Sequence, residues 1–385
     1  MATMPGVRVA HVCSVDTEVI VDALARQFAG SRPELLLWFA SSEVDFPSLA
    51  RALQRHFEGS VVVGCTTSGE IGPEGCTTGS VVALAMDAPS QVRAVLLEDL
   101  DQPNFDARLD AIAALIEAMG ERPDSLAQHG EDFVFLTLVD GLSGAEEQLL
   151  AAISTVAPGV ALVGGSAGDD FGFRRTQVAV GERAASGAAA IVLLAPRRPF
   201  APVHLHHFRR AGAPMVVTEA DPGKRLVTRI DGISAIAKLA AVLEVDEDQL
   251  RADPVPILSR APLVFGVTVG DQVFLRSAMN LRDDAVLMGG ALEEGTIVHP
   301  MRPGDLIEDT RSALAAALTQ VARPQSLLLF NCGGRIWEAR SRGQVAELGA
   351  AMLPLPGAGF TTYGEQYGSA QLNHTLTGLV FGDLQ

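Results

Sequence analysis

The sequence predicts an α/β protein (mixed α+β) of two domains, with internally repeated strand–helix–strand units and mixed sheets. Three observations carry this. Short apolar runs alternate with stretches of helical spacing in the first half, and again near the end. A seven-residue phrase occurs as Gly64-Cys65-Thr66-Thr67-Ser68-Gly69-Glu70 and as Gly359-Phe360-Thr361-Thr362-Tyr363-Gly364-Glu365, with five positions identical. Gly164-Gly165-Ser166-Ala167-Gly168-Asp169 is a shorter echo. Finally, 385 residues are many for one core, and the texture of the chain changes between residues 196 and 232.

The elements follow in order. Val7 to Ser14 alternates like a strand, and Asp16 to Phe28 has helical spacing through Val19, Ile20, Ala23, Leu24 and Phe28. Leu35 to Ala40 is a buried strand. Pro47 to Phe57 is a helix with Leu49, Leu53 and Phe57 inward, and Val61 to Val63 is a second buried strand that runs into the glycine phrase. Strand, helix and strand at this spacing suit a parallel crossover. Ser80 to Met86 is the next strand. The unit repeats as helix Phe105 to Met119, strand Phe133 to Val139, helix Gly144 to Val156 and strand Val160 to Val163. Gln177 to Val180 and Ala188 to Leu194 read as a hairpin around Gly181 to Gly187. Pro196 to Pro202 punctuates the chain.

Beyond it, Val203 to Arg209, Met215 to Thr218 and Leu226 to Ile230 are short strands, and Ser234 to Leu243 is a helix. Pro254, Pro256 and Pro262 mark 253–262 as a loop. Leu263 to Thr268, Gln272 to Ser277 and Ala285 to Met288 are three strands. The last third returns to the opening pattern: helix Asp305 to Val321, strand Ser326 to Asn331, helix Gln344 to Met352, the second glycine phrase, and strand Leu376 to Phe381.

Composition excludes several function classes. The net charge is −17, from 29 basic and 46 acidic residues, and no basic patch of the kind nucleic acid requires is present. No run reaches the roughly 18–20 apolar residues of a membrane span; the longest, Ala188 to Ala195, is strand-sized. Met1 to Gly6 lacks the basic and apolar regions of a signal peptide. Cys13, Cys65, Cys76 and Cys332 form no C-x-x-C pair, which argues against a disulfide framework or a cysteine zinc site and fits a reducing cytoplasm.

The glycine phrases are the first candidate site. Glycine after a buried strand permits a sharp turn or close backbone approach to a ligand. Thr66, Thr67 and Ser68 can donate to an oxygen-rich ligand, and Glu70 can accept from an amine. The plainer reading is a strand-exit turn whose hydroxyls cap backbone groups. Cys65 sits where a strand-to-turn nucleophile would, but no local histidine serves as its base, so a small buried thiol is the better reading. His204, His206 and His207 cluster in one strand-like stretch; alternation puts His204 and His206 on one face and His207 on the other. Histidine ligates haem and metals, although an exposed strand edge explains such a cluster as well. His374 follows the second phrase, while His11, His56, His129 and His299 look isolated.

These residues carry a resemblance. Val61 to Pro73, reading VVVGCTTSGEIGP, resembles the signature of the FIST N-terminal domain, and Gly359 to Tyr367, GFTTYGEQY, that of the FIST C-terminal domain. The resemblance runs from about residue 20 to the end. It implies a sensory module of bacterial signalling, non-enzymatic and cytoplasmic, with an N-terminal domain over 1–205 and a C-terminal domain over 206–385. Implied partners are a histidine kinase or a diguanylate cyclase or phosphodiesterase, without nucleic acid or membrane; a homo-oligomer is compatible. His206-His207-Phe208, with Val216 to Pro222 and Gly364 to Tyr367, is similar to the stand-alone haem proteins of the family that sense nitric oxide. That similarity implies haem b, held by His207 first, then His206 and His204. The competing expectation is a haem-free sensor of a small ligand such as an amino acid, lined by Thr66, Thr67, Glu70, Thr362 and Glu365. Asn331 to Arg335 and Asn373-His374 depart from the family pattern.

Overall fold

In the computed structural model, residues 6–87, 90–126, 128–260 and 263–384 are described. Met1 to Pro5 of the N-terminal segment, and Pro262 of the proline-marked loop, lie outside them. The chain forms two compact units. The first is drawn from Met1–Leu205, Ile307–Ser369 and Leu376–Gln385; the second is His206–Leu306 with Ala370–Thr375.

The opening repeat is β1 (Val7–Val12), α1 (Thr17–Gln27), β2 (Pro33–Ser41), α2 (Phe46–His56), β3 (Val61–Thr67), β4 (Glu70–Gly72), β5 (Gly75–Thr77) and β6 (Val81–Asp87). The next is β7 (Gln91–Leu97), α3 (Phe105–Ala118), α4 (Pro123–Leu126), β8 (Val134–Val139), α5 (Glu146–Val156), β9 (Ala161–Ser166), β10 (Val178–Val180), β11 (Arg183–Ala185) and β12 (Ala189–Ala195). The third begins with β13 (Phe200–Leu205).

The second unit follows as β14 (Phe208–Arg210), β15 (Met215–Asp221), β16 (Leu226–Ile230), β17 (Ile233–Ser234), α6 (Ala235–Leu243), α7 (Glu247–Ala252), α8 (Pro254–Arg260), β18 (Val264–Val269), β19 (Gln272–Arg282), β20 (Ala285–Met288) and β21 (Ile297–Pro303). The third repeat then resumes with α9 (Leu306–Leu318), β22 (Pro324–Cys332), α10 (Gly333–Arg342), α11 (Val345–Met352), β23 (Gly357–Thr362), β24 (Glu365–Tyr367), β25 (Ala370–Leu372) and β26 (Leu376–Gly382).

Local chemistry explains the helix starts. The Asp16, Asp45 and Asn104 side chains accept the backbone N–H groups of Val19, Ser48 and Ala107, which caps α1, α2 and α3. Each repeat contributes one parallel pair, β2 with β3, β8 with β9 and β22 with β23, as the crossover spacing predicts.

Strand exchange joins the repeats. The first sheet runs β1-β6-β2-β3-β10-β11, and the third β13-β26-β22-β23-β4-β5; in the second, β24, β9, β8, β12 and β7 follow the same order. Each sheet therefore takes its last strand or hairpin from a different repeat. Inner sheet faces meet in one core, where Phe39 stacks on Phe360 at 4.9 Å and Phe330 packs edge-on to Phe360 at 5.6 Å. Outer faces are covered by α1 and α2 around Trp38, and by α3 and α5 around Phe135. In the second unit the order is β14-β21-β15-β16-β20-β19-β18, and β18 also pairs with β21, which closes the sheet around Val217, Phe265 and Val286.

Two expectations need correction. The hairpin after residue 177 is β10 with β11, whereas β12 pairs with β7 and β8. Residues 254–260 are helical, because a proline in the first turn of a helix loses no hydrogen bond. The two compact units are not contiguous in the chain. Residues after 306 return to the first unit, because β26 pairs with β13 and β22. Among the described residues no helix is long and apolar enough to cross a membrane.

Candidate functional site

The three glycine phrases end the inner parallel strands β3, β9 and β23, and the chain then leaves each repeat to pair with another. β4 pairs with β23, β24 with β9, and β10 with β3. Backbone hydrogen bonds close the circuit. Ser68 N–H donates to Thr361 O at 3.0 Å, and Thr361 N–H to Gly69 O at 2.8 Å. Ser166 N–H donates to Gly364 O at 2.8 Å, and Tyr363 N–H to Ser166 O at 3.0 Å. Gly168 and Asp170 N–H donate to Thr66 and Thr67 O, both at 3.0 Å. The phrases and their echo thus form one ring within the first unit.

The five predicted ligand residues lie in this ring, and they are buried. Their polar atoms bond one another or neighbouring protein groups. Thr66 Oγ1 accepts the Gln177 N–H at 3.0 Å. The Thr67 hydroxyl donates to the Glu70 carboxylate and the Thr362 hydroxyl to Glu365, the same contact in both copies. Glu70 also accepts the Ser80 hydroxyl at 2.6 Å and its N–H at 3.2 Å. The strand-exit reading therefore describes these hydroxyls, and they hold the ring.

Glu70 carries a pH dependence. Burial pushes its carboxyl up to about 7, against the Ser80 and Thr67 hydroxyls, which pull it down, and with the help of the Asp170 charge. An acid raised in the fold binds its proton more tightly there than in the unfolded chain. Its contribution is complete below about pH 4.5 and is lost as pH rises through about 7, on the order of 3 kcal/mol in all. In thermal unfolding, Glu70→Gln is expected to remove that slope between pH 4.5 and 7. A variant with the wild-type slope would assign it elsewhere.

What sequence reading missed is the rim. Asp169, last residue of the echo, accepts the Tyr363 hydroxyl and the N–H groups of Phe173, Arg174 and Arg175. Burial raises this carboxyl, but those four donors outweigh it and hold it below the ordinary range. The loop so pinned has Asp170, Phe171 and Phe173 in left-handed backbone, at φ 54, 62 and 51°. Bulky residues avoid that region, and such strain persists only where surroundings impose it. Phe173 is half-exposed and stacks on Tyr363 at 4.5 Å; Phe171 packs against exposed Trp337 at 5.3 Å, and the Arg340 guanidinium lies over the Phe171 ring, 5.4 Å from its centroid. The sequence signal was weak: Asp169-Asp170-Phe171-Gly172-Phe173 looks like any polar turn.

The FIST N domain model matches residues 34–233 and the FIST C domain model matches 235–368. The chain belongs to the FIST family. FIST domains are signal-transduction sensor domains. No curated protein matches. Among solved structures, the crystal structure of cyanuric acid hydrolase from A. caulinodans is similar over 98% of this chain and 99% of that one, at 10% identity and a TM-score of 0.40. Similarity at that level has no bearing on activity.

The histidines of this FIST chain separate. Strand β13 ends at Leu205, so the expected alternation across residues 204–207 is broken. His204 lies in the first unit, opposite Thr377, with its ring stacked on Tyr367 at 4.9 Å. His206 and His207 open the second unit. Nδ1 of His206 accepts the Phe208 N–H at 3.2 Å. His207 has no exposed surface, and its ring lies 4.6 Å from that of Phe208. A porphyrin must lie against the ligating nitrogen, so haem at His207 would require neighbouring side chains such as Phe208 to move aside.

Cys65 is fully buried in the shared core. Burial, with the Glu70 charge, pushes its thiol well above its usual range, which suits packing and not nucleophilic attack. His11 is not isolated: Cys13 and Glu74 lie beside it.

Proposed function

We propose that this chain is a non-enzymatic sensor of a small amine-bearing ligand, such as an amino acid. The site is the junction of Asp169 with Tyr363, under the rim of Phe171, Phe173 and Trp337. The single observation behind this reading is the strained loop 169–175, pinned where the phrase ring meets exposed aromatic faces. An ammonium group would take the Asp169 carboxylate in place of the Tyr363 hydroxyl, and the ring faces would add cation–π attraction. Release of Tyr363 loosens the second glycine phrase and the loop together. That gives the two states whose balance a ligand shifts by its difference in affinity. The output is altered contact with a histidine kinase or a diguanylate cyclase or phosphodiesterase.

Thermal unfolding with a panel of free amino acids tests this. At least one should stabilise the wild type, and the gain should vanish in Phe173→Ala, whose side chain is half-exposed and costs the fold little. No stabilisation by any amine, or an undiminished one in the variant, defeats the proposal. The nitric-oxide-sensing haem reading has its own arm. A Soret band from wild type with added haem, lost in His207→Ala, would replace the amine with haem and show that the packing around Phe208 opens.

A further inference from the structure

A second site stands apart from the phrase ring and does not depend on the reading above. His11 and Cys13 are two residues apart at the end of β1, a spacing that puts both side chains on one side of extended backbone. Glu74 lies between Gly72 and Gly75 in the β4–β5 turn. Cys13 Sγ is 3.8 Å from His11 Nε2 and 3.8 Å from Glu74 Oε2, and His11 Nδ1 is 3.6 Å from Glu74 Oε1. One ligand atom from each residue can be chosen with all three within 4.8 Å. Ligands at tetrahedral zinc, about 2.0–2.3 Å from the ion, lie about 3.3–3.8 Å from one another.

The surroundings look built. The His11 side chain is only 4% exposed, and its Nδ1 is buried without a hydrogen-bond partner. Thr77 Oγ1 lies 3.3 Å from Nε2 and orients the ring, as outer groups do for metal-bound histidine. Gln27 of α1 brackets the His11 backbone, accepting its N–H at 3.3 Å and donating to its carbonyl at 3.0 Å. Cys13 and Glu74, by contrast, are exposed and reachable by an ion from solvent.

We infer that His11, Cys13 and Glu74 form a zinc site with a fourth position left to water. A nitrogen, a thiolate and a carboxylate suit zinc better than calcium or magnesium, which take oxygen ligands. On binding, the Cys13 thiol releases its proton to solvent and its sulfur bonds the ion. The ion ties β1 to the tip of the β4–β5 hairpin. That hairpin begins at Glu70, and Thr77 and Ser80 link His11 to Glu70 through hydroxyls 2.9 Å apart. Metal at the tip therefore stiffens the exit of the first glycine phrase. The lack of a C-x-x-C pair hid the site, because its ligands are a strand pair and a distant turn.

Cobalt(II) is the probe. The chelator-treated full chain should bind one equivalent, show a thiolate-to-cobalt charge-transfer band, and lose the band when zinc is added. Cys13→Ser should abolish the band, and Glu74→Gln, on an exposed turn, should weaken binding by about tenfold or more. Cys76→Ser should leave the band unchanged. A wild type without a saturable band, or a band that survives in Cys13→Ser, overturns the site.

Discussion

Arg335→Met is expected to cost about 3–5 kcal/mol of stability, measured by urea unfolding. Arg335 has no exposed surface. Its Nε donates to Asn331 Oδ1 at 2.8 Å and its Nη2 to Thr310 Oγ1 at 2.6 Å. Burial pulls the guanidinium down to about 10, so it stays charged at neutral pH, and the nearby Cys332, Glu365 and Glu338 side chains favour that form. Glu365 is the buried carboxylate of the second glycine phrase. Removing the cation takes a favourable charge away from that buried carboxylate, and truncating one side of a buried charge interaction costs more than the interaction itself contributes. Arg335→Met with Glu365→Gln should therefore be more stable than Arg335→Met alone. Simple additivity of the two changes would show that the residues do not interact. Lysine is a poor substitute, since it keeps the charge but not the two-directional donor geometry.

Arg335 also shows where sequence reading ends. The repeated units, their parallel pairs and the existence of a ring-forming phrase were all visible, because each rests on local apolar spacing or on literal repetition. Helix α10 was not. Gly333 and Gly334 are poor helix formers, and the reason for the first lies outside the helix: a Cβ at Gly333 would meet Phe171 at 2.6 Å. The rim was hidden in the same way, since the left-handed backbone at Phe171 and Phe173 is held by N–H bonds to Ser68 Oγ and to the Asp169 carboxylate, and not by their own preferences. The hydroxyls of Thr67 and Thr362 were visible but their use was not. Nothing local says that Glu70 and Glu365, three residues on, accept them. The His11, Cys13 and Glu74 cluster joins residues over sixty positions apart, beyond any spacing rule.

Gly359→Ala is expected to destabilise by about 3 kcal/mol or more, the upper end of overpacking, because the obstacle is backbone. An added Cβ would fall inside contact distance of the Leu329 carbonyl on the paired strand β22. The first glycines of the other copies face the same obstacle. Gly64 pairs with Trp38 and Gly164 with Thr137, and a Cβ at either would strike the neighbour's carbonyl and side chain. None of the three has positive φ, so crowding alone demands glycine there. Gly59 is the opposite case: its φ is 89° and a Cβ would meet nothing within 4 Å. Gly59→Ala should cost only about 1–2 kcal/mol, the penalty of left-handed backbone. Unfolding of the four alanine variants separates the two causes. Equal, large losses at 64, 164 and 359 mean that close strand approach positions all three phrases. A mild loss at any one of them means that its inner strand yields, and that the ring can open on that side.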